Sequence, residues 1–434
     1  MSDFLINKIK SRWILDSRGN PTVETEVYTK NGFARSAVPS GASTGVLEAL
    51  ELRDGGKAFL GRHVTKAVRN VNEILGKKLL GFDVREQQKL DNKMISIDGT
   101  ENKSKIGANA ILSVSLSAAK LAAEMLNKPL FSYIYELSHN KSNTRFLMPI
   151  PCCNIINGGK HAGNNLAVQE FMILPIGAHN FSKAIQNVVE VYQTLKELLN
   201  EKFGKSAINV GDEGGFAPNL SETRDAFDVI IDAIEEAGFL MGTDFVLGMD
   251  AAASEFFKED IYSIDGKKLR EEELLQFYLD LLHDYPLKSI EDPFDEKSFR
   301  GFTNLTAKLD KTIQIVCDDI TVTNIRLLQK AIDEKAGNAL LLKVNQIGTL
   351  SEAIKACQLA FRNGFNVMVS HRSGETEDPF IADLAVGLCS GQIKSGAPCR
   401  SDRTSKYNQL LRIEEFLGNN AFYPENFSSW KEYQ

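Results

Sequence analysis

Six short apolar runs, spaced along the second half of the chain, each end on a polar or ionisable side chain. "FVLGMD" ends on Asp250, "LKSIED" on Glu291 and "IQIVCDD" on Asp318; "LLLKVN" reaches Lys343, "NVMVSHRS" His371 and "QIKSG" Lys394. The intervals between these residues are 41, 27, 25, 28 and 23 positions. Helical patterns, such as 324–336 and 350–363, fill the gaps, and strands alternating with helices at this spacing predict parallel βα units. Unbroken apolar runs suit strands buried on both faces. Two α/β architectures place charged groups at successive strand ends. One is a closed (β/α) barrel with its site at the C-terminal mouth; the other is a doubly wound open sheet with its crevice at the same ends. The regular recurrence favours the barrel.

The preceding third reads differently, as mixed α and β. "NPTVETEVYT" alternates, with Val23, Thr25 and Val27 on one side of a strand and Glu24 and Glu26 on the other. Val64, Ala67, Val68, Val71, Ile74 and Leu75 follow helical spacing, with Gly76 as the expected stop. A second helix is predicted from Ala108 to Leu126. The polar stretch "SHNKSNTRF", residues 138–146, suits a junction between an N-terminal unit, 1–137, and a C-terminal unit, 147–434.

Bulk properties narrow the function classes. The 434 residues carry a net charge of −7, which argues against a general nucleic-acid binder. Six cysteines without a CxxC pair suit reduced core thiols rather than a disulfide scaffold or zinc site. "MSDFLINKIK" lacks the apolar core of a secretory signal. The most membrane-like stretch, "ANAILSVSLSAAKLAA", carries three serines and a lysine and reads as a small-residue packing helix. A cytoplasmic setting without membrane contact is the expectation.

Asp250, Glu291 and Asp318 would repel one another if gathered, so a shared hard cation is the natural solution, and oxygen ligands select Mg²⁺. Each alone reads equally well as a loop residue or helix cap. Lys343 and Lys394, desolvated and near cations, would have lowered pKa values and could serve as bases; the plain alternative is a strand-end lysine reaching for solvent. "INVGDEGGFAPN" displays Asp212 and Glu213 on a glycine-rich turn where Glu213 could move a proton. "VPSGASTG" at 38–45 and "SHRSGETED" at 370–378 offer backbone N–H groups and Arg372 to an anion, although the first lacks the GKS/GKT ending of a P-loop. His161 lies in the lid-like "NGGKHAGNN", and His371 sits among the site candidates. His63, His139, His179 and His283 have no such company and read as structural or solvated.

Together these motifs resemble the enolase family, the phosphopyruvate hydratases. The resemblance runs nearly end to end, through "DSRGNPTVE", "VPSGASTG", "GANAILSVS", "INGGKHAGN", "QEFMILP", "GDEGGFAPN", "GMDAAASEF", "IEDPF", "DDITVTN", "LLLKVNQIGT", "VMVSHRSGETED" and "GAPCRSDR". It implies a small α+β domain capping a barrel that opens with two strands and then two helices. "INVGDE" would then join those helices, although it reads locally as a strand. The implied reaction is reversible dehydration of 2-phosphoglycerate to phosphoenolpyruvate. The resemblance assigns Lys343 as the base at C2, Glu213 as general acid with Glu170 in support, and Lys394 as stabiliser of the charged intermediate. It gives one Mg²⁺ to Asp250, Glu291 and Asp318, and a second, recruited with substrate, to Ser43. Substrate contacts would come from His161, Gln169, Glu170, Glu291, Asp318, Lys343, Ser370, His371, Arg372, Ser373 and Lys394. It also implies a homodimer or higher homo-oligomer.

Two departures from the family pattern stand out. Cys317 replaces the usual glycine before Asp318, which implies either altered packing or an oxidation-sensitive metal site. Phe365-Asn366 replaces the usual Trp-Gly. The competing functions are a superfamily relative acting on another carboxylate, and a non-catalytic surface-adhesion role. The first would not be expected to keep Ser43, His161, Glu213 and "SHRSGE"; the ending "SSWKEYQ", without a terminal lysine, weakens the second.

Overall fold

The structure is a computed structural model that describes residues 3–41, 47–309 and 313–424. Its N-terminal part begins with an antiparallel meander of β1 (Lys8–Leu15), β2 (Pro21–Tyr28) and β3 (Phe33–Ala37). The alternation in β2 behaves as predicted. Val23, Thr25 and Val27 are wholly buried and pack toward helix α1 (Ala108–Met125), while Arg12 reaches Glu26 on the other side at 2.7 Å. Small residues let α1 approach closely: Thr25 Oγ1 and Ser113 Oγ lie 2.6 Å apart, and Ser117 donates to the Thr25 carbonyl at 2.8 Å. The far side of α1 also meets protein, because Leu350 N–H donates to Ser115 Oγ. This burial explains why the segment is so apolar. Among the described residues, no helix is long and apolar enough to cross a membrane.

The expected helix near residue 64 forms, but Gly76 does not end it. A turn of α-helix (Thr65–Arg69) widens into a π-helical segment (Asn70–Leu75) and resumes at Gly76–Lys78. Gly76 is right-handed, and a Cβ there would lie 3.1 Å from the Val71 carbonyl. Its absent side chain serves packing rather than termination.

Eight strands close into a barrel: β4 (Ile150–Asn157), β5 (Glu170–Pro175), β6 (Phe245–Asp250), β7 (Leu287–Glu291), β8 (Gln314–Cys317), β9 (Ala339–Leu342), β10 (Asn366–Ser370) and β11 (Gly391–Lys394). Closure excludes the open-sheet alternative. β5 runs antiparallel to both neighbours, and the other barrel pairings are parallel, including β11 with β4. After β5 come two successive helices, α2 (Phe181–Phe203) and α3 (Thr223–Glu236), before β6. "INVGDE" lies in the connection between them, as the resemblance implied. Helices α4 (Ile325–Asp333) and α5 (Leu350–Arg362) occupy the predicted gaps.

The end of the barrel away from the mouth carries a hydrogen-bonded cluster of amides, in which Asn366 Oδ1 is left without a partner. The amides of Gln314 and Gln392 exchange hydrogen bonds of 3.0 and 2.8 Å, and Gln314 also donates to Ser289. Asn366 donates to Gln314 at 2.9 Å. The Asn366 departure therefore joins this amide network through its N–H group.

Cys317 is fully buried, with Sγ 3.1 Å from the Ala336 carbonyl. Burial pushes its thiol well up from the ordinary value, helped by Asp292 and Asp318. The reactive thiolate is thereby suppressed, so the structure supports altered packing over oxidation sensitivity.

Candidate active site

The charged strand ends converge at the mouth. Asp250, Glu291 and Lys394 terminate β6, β7 and β11, while Asp318, Lys343 and His371 immediately follow β8, β9 and β10. Glu170 starts β5, but that strand is reversed, so its first residue pairs with Asp250 at the same end. The recess is lined in part by Gln169, Glu170, Glu213, Asp250, Asp318, Lys343, Ser370, His371, Arg372, Ser373 and Lys394. Glu291 is not on that lining and lies buried beneath Lys394.

Two lysines organise the charge. Lys394 Nζ lies 3.0 Å from Asp250 Oδ2, 2.9 Å from both Glu291 oxygens and 3.2 Å from Glu170 Oε1. Burial alone would lower this lysine, but those carboxylates hold it well above its ordinary value. Burial and neighbouring acids push Glu170 and Glu291 upward, with Lys394 opposing. Lys343 donates to Asp318 Oδ2, and Gln346 donates to Oδ1 at 2.8 Å. Asp318 is held low because Lys343 outweighs burial.

This geometry corrects the expectation of lowered pKa values at Lys394 and Lys343. Desolvation does pull Lys343 downward, and Arg372 and Lys394 act in the same direction, but Asp318 reverses the balance and the net shift is upward. The sequence displays the lysine and the apolar strand, yet not the ion pair that holds its proton.

Glu213 sits on the turn between α2 and α3. Asn154 donates to its Oε2 at 3.0 Å, and His371 Nε2 faces its Oε1 at 3.5 Å. Burial drives His371 well below its ordinary pKa; Glu213 opposes this, while Arg403, Lys394 and Lys343 reinforce it. The ring is neutral near pH 7.

Arg372 makes a two-pronged contact with Glu48, at 3.1 Å on each prong, and donates to Asn345 Oδ1 at 3.0 Å. Arg18 donates to Ser373 Oγ at 3.3 Å and to the Gly41 carbonyl at 3.0 Å. Reciprocal backbone bonds between Ser40 and Gly374 tie the N-terminal part to this rim. Ser43 lies outside the described residues. The backbone of His161 closes a 3₁₀ turn, Gly159–His161, but its side chain also lies outside the description.

Asp250, Glu291 and Asp318 are an all-oxygen donor set suited to a hard cation. Asp250 and Glu291 surround one positive group, the Lys394 ammonium, which shows that this cluster of acids accommodates positive charge. Among the described residues, the groupings that bring carboxylate or imidazole atoms within 4.8 Å of one another are Glu170, Glu213 and His371, and Asp292, Asp318 and Asp319, rather than the expected Asp250, Glu291 and Asp318. Asp292 is already engaged as a cap, accepting from Asp318 N–H at 3.0 Å and Asp319 N–H at 2.9 Å. Asp319 is pushed up to about 8 by burial and Asp318.

Sequence reading gave no separate role to Glu48, Asn154, Asp292, Asp319, Gln346 or Arg403. Asp292, Asp319 and Arg403 stood inside the quoted "IEDPF", "DDITVTN" and "GAPCRSDR". Asn154 gave no signal because it lies within an otherwise apolar strand.

Comparison with known proteins accords with this geometry. Residues 6–134 match the family model "Enolase, N-terminal domain", and residues 145–431 match "Enolase, C-terminal TIM barrel domain". Enolases from Methanocaldococcus jannaschii, Thermococcus gammatolerans and Pyrococcus furiosus are each 56% identical to this chain. The alignments cover 98%, 97% and 96% of this chain, respectively, and the same shares of those relatives. With both family models matched in order across nearly its whole length, the chain belongs to the enolase family.

Proposed function

We propose that this chain dehydrates 2-phosphoglycerate reversibly to phosphoenolpyruvate, with Lys343 as the base and Glu213 as the general acid. Family membership makes the protein a lyase, a phosphopyruvate hydratase of glycolysis. The observation that carries the residue roles is the pair of lysines, Lys394 buried and Lys343 partly buried, facing carboxylates at one barrel mouth, with Arg372 and Ser373 on its rim.

The C2 proton is a poor acid because the adjacent carboxylate is already negative. Lys343 takes it in the neutral amine form, after giving up the proton that the Asp318 pair favours, and the C–H electrons move toward that carboxylate, adding a second negative charge. Preorganised cations at that position lower the barrier. Lys394 supplies one on the chain itself. The electrons then form the C2–C3 double bond as the C3–O bond breaks, and Glu213 gives the departing hydroxyl a proton to leave as water. Glu170 flanks that end of the site, and Arg372 and Ser373 grip the phosphate. Gln169, Ser370 and His371 complete the substrate contacts, and His161 closes with its loop. Enolase-superfamily use of a lysine or histidine base with Mg²⁺ is a known pattern. Asp250, Glu291 and Asp318 would hold one Mg²⁺ and Ser43 would join a second; bound metal would supply positive charge for the substrate carboxylate and phosphate.

The test is ultraviolet detection of phosphoenolpyruvate formed from 2-phosphoglycerate, with and without Mg²⁺, beside Lys343→Ala. Magnesium-dependent product that vanishes in the variant supports the reading. Product surviving in the variant moves the base elsewhere, and none from folded wild type rejects the substrate.

The same reading includes a cytoplasmic homo-oligomer built from units 1–137 and 147–434. Sedimentation at a monomer's mass would reject the oligomer.

A further inference from the structure

Arg403, near the start of α6 (Ser401–Leu417), is wholly buried at the base of the site. Its guanidinium reaches three places at once. Nη1 meets His371 Nδ1 and donates to the Arg372 carbonyl at 2.7 Å. Nη2 donates to the Ser373 carbonyl at 2.7 Å and the Asp212 carbonyl at 3.1 Å. Nε lies 2.8 Å from Asp402 Oδ2, which balances its charge. One side chain thus joins the 371–373 rim to the turn carrying Glu213.

The His371 contact has one chemical solution. A guanidinium has only donors and stays protonated, so Nδ1 must accept with its lone pair. A ring whose Nδ1 accepts carries its proton on Nε2 and is neutral. That Nε2–H faces Glu213 Oε1 at 3.5 Å, while Asn154 holds the other carboxylate oxygen. Gly396 shows how closely these groups meet. A Cβ there would stand 2.5 Å from the Glu213 carbonyl, 3.0 Å from Arg403 Cδ and 3.3 Å from His371 Cε1.

We propose that Arg403 is a positioning residue that fixes His371 as the neutral Nε2–H tautomer, aiming a hydrogen-bond donor at Glu213. The consequence rests on the role proposed for Glu213. A neutral donor orients its carboxyl group without imposing the full positive charge that would oppose protonation. The same guanidinium sets the distance between the proton-transfer turn and the phosphate rim, so both ends of the substrate are registered by one residue.

Imidazole-¹⁵N labelling and long-range ¹H–¹⁵N spectra of the whole enzyme test this directly, with His371→Asn identifying the signal. Wild type should show Nε2 protonated and Nδ1 as an acceptor at pH 7. A protonated Nδ1, in either the other tautomer or the cation, overturns the proposal. Arg403→Met, if folded, should give mixed tautomers and lower kcat at least tenfold. Arg403→Lys, which restores one donor, should recover the tautomer in part. An unchanged tautomer in folded Arg403→Met also overturns the proposal. The wild-type spectrum is decisive even where the variants do not fold. It is independent of turnover, so failure of the tautomer assignment is distinguishable from failure of the proposed reaction.

Discussion

Gly337 and Cys317 offer a quantitative test of how the cysteine beside Asp318, a departure from the family pattern, is accommodated. Gly337 has φ +87°. Alanine there carries a left-handed backbone penalty of about 1–2 kcal/mol. Its Cβ would also stand 2.3 Å from Cys317 Sγ and 3.0 Å from the Ile315 carbonyl. Core overpacking of this kind costs about 1–3 kcal/mol, so Gly337→Ala should destabilise by roughly 2–5 kcal/mol in all. Cys317→Ala removes the colliding sulfur and loses roughly 1 kcal/mol of burial by itself. The double variant keeps the backbone penalty but sheds the sulfur overlap, leaving a favourable coupling of about 1–3 kcal/mol. Urea unfolding with matched slopes gives each value. Additivity within about 0.5 kcal/mol would refute the packing argument. Because Cys317 precedes Asp318, Gly337→Ala should also raise the Mg²⁺ concentration needed for half-maximal activity, and the double variant should reverse part of that rise.

Four further outcomes follow from buried charge and thiols. Lys394→Met leaves Asp250, Glu291 and Glu170 without their shared ammonium, which should cost about 3–5 kcal/mol without metal; thermal unfolding should recover more with added Mg²⁺ than wild type does, and an equal response would count against metal binding there. Asp378→Asn should cost roughly 2–3 kcal/mol at pH 7, below a fully buried pair because Lys120 keeps some water contact. Burial raises the Asp378 carboxyl, but Lys120, Ser36 and the Ala37 N–H outweigh it and hold it low. Its stabilisation is therefore present above the unfolded carboxyl value, about 3.9, and disappears as pH falls through the lower native value; a difference from Asn unchanged down to pH 2 would contradict this. Native thiol titration should label Cys399 first, since the other five cysteines are buried. Peroxide should inactivate wild type and Cys317→Ala alike; selective protection by the substitution would reinstate the oxidation reading.

The strand ends were legible because burial of a parallel strand on both faces leaves little ambiguity until its last residue. The six positions from Asp250 to Lys394 all reach the mouth on that logic. "INVGDE" was less legible: its apolar start has strand propensity, but tertiary context uses it as a connection. Arg403 shows a different limit. Its contacts join α6 to His371 and Asp212, and no local period announces a guanidinium shared by distant turns. The Lys343 shift failed for a related reason, since the sign depends on the distance to Asp318 rather than on burial alone. Gly76 was misread because a glycine permits close packing as readily as it permits a turn.

The barrel closes where β11 meets β4, and that event delivers Lys394 to acids gathered earlier in the chain. Its contact with Asp250 spans 144 residues. Before closure, Asp250, Glu291 and Glu170 repel one another without the ammonium that later lies among them. The last barrel strand to emerge during synthesis therefore carries the counter-charge for its predecessors. Assembly of the catalytic mouth and sealing of the barrel become one electrostatic event, and a divalent cation present during refolding should hasten it.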